Sequence, residues 1–237
     1  MVHEKLASYV ERITTDRYGN LLAQKKCKTG CGPTILLNAH LDTVEELEEG
    51  REIVKNGPIW SSSKGILGAD DRAGVAVLLE VAKWLETSRF NGTIKFAFTV
   101  EEECGLVGAR ELEEYFLWDV DAAIVVDRRG TGDIVTSCGM IQPFCDIRYG
   151  QFFEKVANDA GLLGWKCTAG GSSDTRIWAS RGIQSVNLSV GYQFEHTDDE
   201  ILDTDACYNT AQFIKAVLNQ SKELSRTLRS LRLTDAV

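Results

Sequence analysis

The chain has 237 residues, 43% hydrophobic and 26% charged, proportions of a soluble globular protein with material for one sizeable core. A net charge of −9 repels phosphates and argues against a broad nucleic-acid or anionic-membrane surface. The opening Met1-Val2-His3-Glu4-Lys5 lacks the apolar run of a secretion signal, no stretch reaches membrane-spanning length, and seven scattered cysteines suit reduced thiols, so a cytoplasmic location is expected.

Residues 11–26, with Tyr18-Gly19-Asn20 at their middle, read as a hairpin appended to a sheet. Cys27 and Cys31 bracket a short turn, but no second pair stands at the spacing a structural zinc needs. Residues 34–39 (TILLNA) form the first run consistent with a strand buried on both faces. Residues 71–86 place Val75, Leu78, Leu79, Val81 and Ala82 near one face and open on an acidic residue, which suits a helix N-terminus. A second apolar strand follows at 93–100 (TIKFAFTV), a shorter helix at 106–117 and a third strand at 122–126 (AAIVV). Another short helix at 152–160 precedes a fourth strand at 184–190 (QSVNLSV). A long amphipathic stretch at 204–231 starts on the capping pair Thr204-Asp205. Strands alternating with helices predict one α/β domain over residues 1–237, with a largely parallel mixed central sheet flanked by helices.

Chemistry-bearing residues follow each of those strands. His40 and Asp42 come after the first, Glu101 to Glu103 after the second, Asp127 after the third and His196 shortly after the fourth. Asp70 precedes the helix at 71–86. Taken singly, each is an ordinary cap, loop or core residue. Open α/β sheets, however, bring the carboxyl ends of their strands to one crevice, and two of the chain's three histidines fall in this set.

His and carboxylate donors suit zinc, and with less preference cobalt or manganese. Two such ions can share a bridging carboxylate. Asp70 can bridge, with His40 and Asp127 serving one ion and Glu103 and His196 the other. Glu102 is then left as a base for water, and Asp42 can accept the second ring N–H of His40.

These segments carry a resemblance. NAHLDT at 38–43, GADDRAG at 68–74, VEEECGLVGA at 100–109, Val126-Asp127, GGSSD at 170–174 and EHTDDE at 195–200 resemble, in order, the co-catalytic zinc exopeptidase superfamily of the M20, M28 and M42 metallopeptidases. The resemblance implies two zinc ions, with Asp70 bridging and His40, Glu103, Asp127 and His196 as terminal ligands. It implies Glu102 as general base and acid, Asp42 as the orienter of His40, and a cis peptide between Asp70 and Asp71. The expected activity is peptide hydrolysis by an aminopeptidase or dipeptidase. Hydrolysis of N-acyl amino acids, or acyl transfer or cyclisation with a single zinc, are the alternatives on the same fold.

Only 68 residues separate Asp127 from His196, which leaves no room for the lid domain that M20 enzymes insert there. Tyr192 is the candidate oxyanion donor in its place. Arg128 and Arg129 are candidates to read a substrate carboxylate, Asp174 to support the site, and Trp60 and Trp178 to line the cleft. The sequence leaves the oligomeric state open.

Overall fold

The structure, a computed structural model, describes residues 1–234. Its elements run α1 (Val2–Ala7), β1 (Arg12–Thr15), β2 (Leu21–Cys27), β3 (Thr34–His40), β4 (Ile53–Asn56), β5 (Ile59–Ser62), α2 (Ala69–Trp84), β6 (Gly92–Thr99) and α3 (Val107–Glu111). There follow β7 (Ala122–Arg128), β8 (Asp133–Cys138), β9 (Gln142–Pro143), α4 (Ile147–Asp159), β10 (Lys166–Gly170) and α5 (Asp174–Ser180). The chain then continues through β11 (Gln184–Ser189), β12 (Tyr192–Gln193), β13 (Ile201–Asp203), α6 (Thr204–Asn219) and α7 (Ser221–Thr234).

The central sheet has the order β1-β2-β6-β3-β7-β11-β8-β10, with β9 pairing to β8. Its middle four strands, β6, β3, β7 and β11, are parallel, and the antiparallel pairs lie to either side. The sheet is therefore mixed, with four parallel strands at its centre and a further parallel pair, β8 and β10, at one edge. All seven residues of β3 are buried, as expected for a strand covered on both faces.

Alternation along the strands divides the apolar side chains between two cores. Ile35, Leu37, Ile94, Phe96, Ile124 and Val126 pack with α2, α4, α6 and α7. Leu36, Ala97, Ala123 and Val125 face the smaller helices α3 and α5, with Trp178 wholly buried among them.

The hairpin expected over 11–26 is present as β1 and β2, in antiparallel register. Three expected helices differ in extent. The stretch 204–231 is two helices, broken at Gln220, whose backbone leaves the helical region. Residues 106–117 form only the short α3 and a 3-10 turn over Glu114–Phe116, because Leu112 and Glu113 are extended. The helix expected at 152–160 begins earlier, at Ile147, where the Asp146 carboxylate accepts the N–H of Arg148.

A second, four-stranded sheet of order β12-β13-β5-β4 was not expected. Its strands are two to four residues long, too short to show a period.

Candidate metal centre

The parallel strands deliver their carboxyl ends to one crevice. His40 ends β3, Glu102 and Glu103 lie just past β6, Asp127 is the penultimate residue of β7, and the loop after β12 carries His196. Asp70 enters from the start of α2, where Asp70 (φ −75°, ψ 105°) and Asp71 (φ −117°, ψ 36°) depart from helical geometry. The peptide between them is cis, as the resemblance implied.

Asp70 turns one oxygen toward each histidine. Its Oδ1 is 3.0 Å from His40 Nε2, and its Oδ2 is 3.2 Å from His196 Nε2. Asp127 Oδ1 lies 3.7 Å from His40 Nε2, and Glu103 Oε1 lies 2.9 Å from His196 Nε2. Two three-donor groups result, His40/Asp70/Asp127 and Asp70/Glu103/His196, each with its donor atoms within 4.8 Å of one another. Glu102 stands beside them, in a further group with His40 and Glu103. Glu101, the remaining member of the acidic triplet, is exposed.

Several of these groups are held from behind. Asp42 accepts the backbone N–H groups of Glu102 and Glu103, both at 3.1 Å. His40 Nδ1 is 3.1 Å from the Asp42 carbonyl and 3.4 Å from its carboxylate, so a proton on Nδ1 leaves the Nε2 lone pair facing Asp70 and Asp127. Tyr192 donates its hydroxyl proton to Asp127 Oδ1 at 2.9 Å. Asn187 brackets the Asp127 main chain, accepting its N–H at 2.9 Å and donating to its carbonyl at 2.7 Å.

Three supports went unnoticed in the sequence. Glu200 accepts from the N–H groups of Gly68 (2.6 Å) and Asp70 (2.9 Å), fixing the loop that carries Asp70. Asp71, fully buried, accepts from His40 N and Gly74 N. Asn187 is a buried amide between Val186 and Leu188 on β11, and Asn38 stands likewise between Leu37 and Ala39 on β3. A lone amide in such a run was the signal available.

Crowding of anionic groups has a measurable consequence. Burial, followed by the charge of Asp127, pushes the Glu102 carboxyl up to about 9. Burial lifts Asp127 to about 6 despite its hydrogen bond with His40. Asp71 and Glu103 are raised as well, by burial first and then by neighbouring carboxylates. Burial alone would lower His40, but hydrogen bonds from the ring to Asp127, Asp42 and Asp70 outweigh it and hold the imidazole well above its usual range. The residues fit a pair of cations: a histidine Nε2 stands beside two carboxylates in each donor group, and Glu103 Oε1, 2.9 Å from His196 Nε2, is buried with no properly directed hydrogen bond.

The other expected residues divide. Arg128 and Arg129 line the cleft, Arg128 paired with Asp133 and Arg129 with Glu195. Tyr192 is not free as an oxyanion donor, since its proton is committed to Asp127. Trp178 lines no cleft; it is core, with its indole N–H on Asn38. Trp60 is half-buried under the Lys55 ammonium, 4.0 Å from the ring centroid. Asp174 is buried beneath the site, bound by Thr99 and Asn38. Cys27 is buried, Cys31 exposed, and neither joins a metal-binding cluster among the described residues.

The sequence profile of peptidase family M28 matches residues 20–219, which take in every one of these donors. The chain belongs to peptidase family M28. The M28 domain shares its fold with aminopeptidase PepT from Bacillus cereus, at a TM-score of 0.83 and 19% identity over 93% of this chain and 91% of that one. It is 40% identical over 102 residues to the uncharacterized protein YqjE of Bacillus subtilis, a stretch covering 43% of this chain and 27% of YqjE. It is 35% identical over 112 residues, 44% of this chain, to a peptidase T-like protein of Yersinia pestis. The matched stretches thus span only about a quarter of the length of these curated relatives, 27% and 26%.

Proposed function

We propose that the protein is a two-metal aminopeptidase that removes residues from the free N-terminus of short peptides. The observation that carries the reading is Asp70, which presents one oxygen to each of two histidine-containing donor groups. In this reading His40 and Asp127 hold one divalent ion, Glu103 and His196 hold the other, and Asp70 is shared. Zinc is the ion best suited to such mixed His and carboxylate donors, with cobalt and manganese as substitutes. When bound, the ions supply Lewis acidity and make water acidic near neutral pH.

The remaining chemistry belongs to the chain. Glu102 lines the cleft and contributes to no essential ligand pair, so its carboxylate is free to take a proton from water and return it to the leaving amine. Burial favours the protonated form of Glu102, which suits the second transfer, while nearby cations favour the ionised form needed for the first. Asp42 fixes the Glu102 main chain, and Tyr192 with Asn187 fixes Asp127, so both stand pre-oriented.

The cleft measures about 200 Å³ and encloses only the end of a peptide. The shared fold with an aminopeptidase agrees with this substrate class. No helix among the described residues is long and apolar enough to cross a membrane. The unpaired cysteines and the net charge of −9 support a cytoplasmic site of action without a nucleic-acid partner.

A panel of di- and tripeptides, aminoacyl anilides and their N-acetylated counterparts, assayed with zinc, cobalt or manganese, tests it. Hydrolysis restricted to free N-termini is expected. Cleavage of N-acetyl amino acids with free peptides untouched would overturn the aminopeptidase reading in favour of an N-acyl hydrolase.

A further inference from the structure

The two donor groups are not equally supported. His40 is 2% exposed and sits on β3 at the centre of the sheet, whereas the His196 side chain is 43% exposed and rides on a loop. That loop is held in an unfavourable shape, with both Phe194 (φ 57°) and His196 (φ 64°) in the left-handed region, which costs any residue bearing a Cβ. Something must oppose its relaxation.

The loop is tied at both ends. Gln193 pairs with Ile201 in the small sheet, and Glu200 grips the backbone of Gly68 and Asp70. Between them, the Thr197 hydroxyl donates to the Phe194 carbonyl at 2.7 Å, a bond internal to the loop. The Glu200 N–H donates to the Thr197 carbonyl at 3.1 Å. Among the described residues, one side-chain tie joins 194–199 to the rest of the protein besides the contacts of His196 itself. Arg129 Nη2 meets Glu195 Oε1 at 2.8 Å.

Both ends of that tie are placed. The Arg129 carbonyl accepts the Ser189 hydroxyl at 2.8 Å, and the adjacent Gly130 N–H donates to Tyr192 O, so the arginine projects from a fixed strand end. The Glu195 side chain is only 13% exposed, and its second oxygen is buried with no partner. An exposed ion pair contributes little, but a carboxylate buried to this degree depends on its one cation.

The geometry points to the Arg129–Glu195 pair as a latch that positions His196, and so sets how tightly the Asp70/Glu103/His196 group holds its ion, independently of the His40 group. The inference rests on the two-metal reading above. Arg129 and Glu195 are positioning residues: they act through the backbone on either side of Glu195 and need not touch substrate.

The test is zinc release from the loaded full-length protein into excess chromophoric chelator, with the zinc content per chain measured beforehand. The wild type is expected to carry two ions and release them in two phases. Arg129→Ala accelerates one phase by about tenfold or more, the scale typical of lost support behind a ligand, and leaves the other unchanged. Arg129→Lys, which keeps the charge, restores most of the slow release. Unchanged release of both ions in Arg129→Ala, or equal acceleration of both, would overturn the latch. A wild type that binds fewer than two ions would instead sink the two-metal reading, and the latch with it.

Discussion

Gly74 lies in α2, one turn beyond Asp71, where helix propensity alone favours alanine by about 0.5–1 kcal/mol. The structure predicts the opposite sign. A Cβ at Gly74 would lie 2.0 Å from the Val126 carbonyl oxygen of β7 and 2.4 and 2.6 Å from the two carboxylate oxygens of Asp71. Real contacts of this kind essentially never fall below 3.0 Å, so α2 must move off the sheet by about an ångström or Asp71 must leave its place. Neither is cheap, because one obstacle is backbone and the other accepts from His40 N and Gly74 N in a fully buried position.

At contacts this short overpacking costs about 2–3 kcal/mol, which outweighs the propensity gain of about 0.5–1 kcal/mol and leaves Gly74→Ala destabilised by about 1–2 kcal/mol. For a domain of this size that lowers the melting temperature by about 2–8 °C. Because Asp71 adjoins Asp70, peptide hydrolysis should fall further than the stability loss explains. Urea and thermal melts of the zinc-loaded variant, with turnover measured well below the transition, check both effects. A Gly74→Ala protein more stable than the wild type would refute the packing argument.

Two further outcomes follow from the supports of the site. Tyr192→Phe removes the hydroxyl proton donated to Asp127 and should weaken one of the two zinc ions by about 10–100-fold, as read by chelator competition; unchanged affinity would contradict the role given to that hydroxyl. The metal-free protein should lose stability relative to the zinc-loaded one as pH rises. A carboxyl whose folded pKa exceeds its unfolded value stabilises the fold while protonated, and that contribution disappears as pH climbs through the folded value. For Glu102 the window runs from the ordinary 4.5 to about 9, and for Asp127 from 3.8 to about 6. The gap between loaded and metal-free melting temperatures should therefore widen between about pH 5 and pH 9, and a constant gap would argue against the crowded-carboxylate picture.

The site was largely legible because its residues follow strands that announce themselves. TILLNA, TIKFAFTV and AAIVV are buried, branched runs whose ends share one crevice by topology, so His40, Glu102, Glu103 and Asp127 could be grouped before any coordinates. What escaped was support by backbone acceptance. Glu200 and Asp71 act on N–H groups of other segments, and no spacing in the sequence encodes which loop a carboxylate will reach. Tyr192 was read as facing substrate, and only the register of β12 shows that its hydroxyl belongs to Asp127. The break at Gln220 was equally hidden, because α6 and α7 each continue an amphipathic pattern and no glycine or proline marks the joint. The small sheet went unseen because strands of two to four residues carry too few side chains to alternate.

The central claim is that two divalent ions and Glu102 act together in this crevice. Elemental analysis of metal per chain, on protein purified without chelator and again after zinc reconstitution, tests it most directly when wild type and Glu102→Gln are run side by side with a peptide assay. The account predicts two ions per chain in both proteins, with hydrolysis present in the wild type and lost in Glu102→Gln. One ion or none after reconstitution, or a Glu102→Gln protein that still cleaves peptides at the wild-type rate, would contradict it.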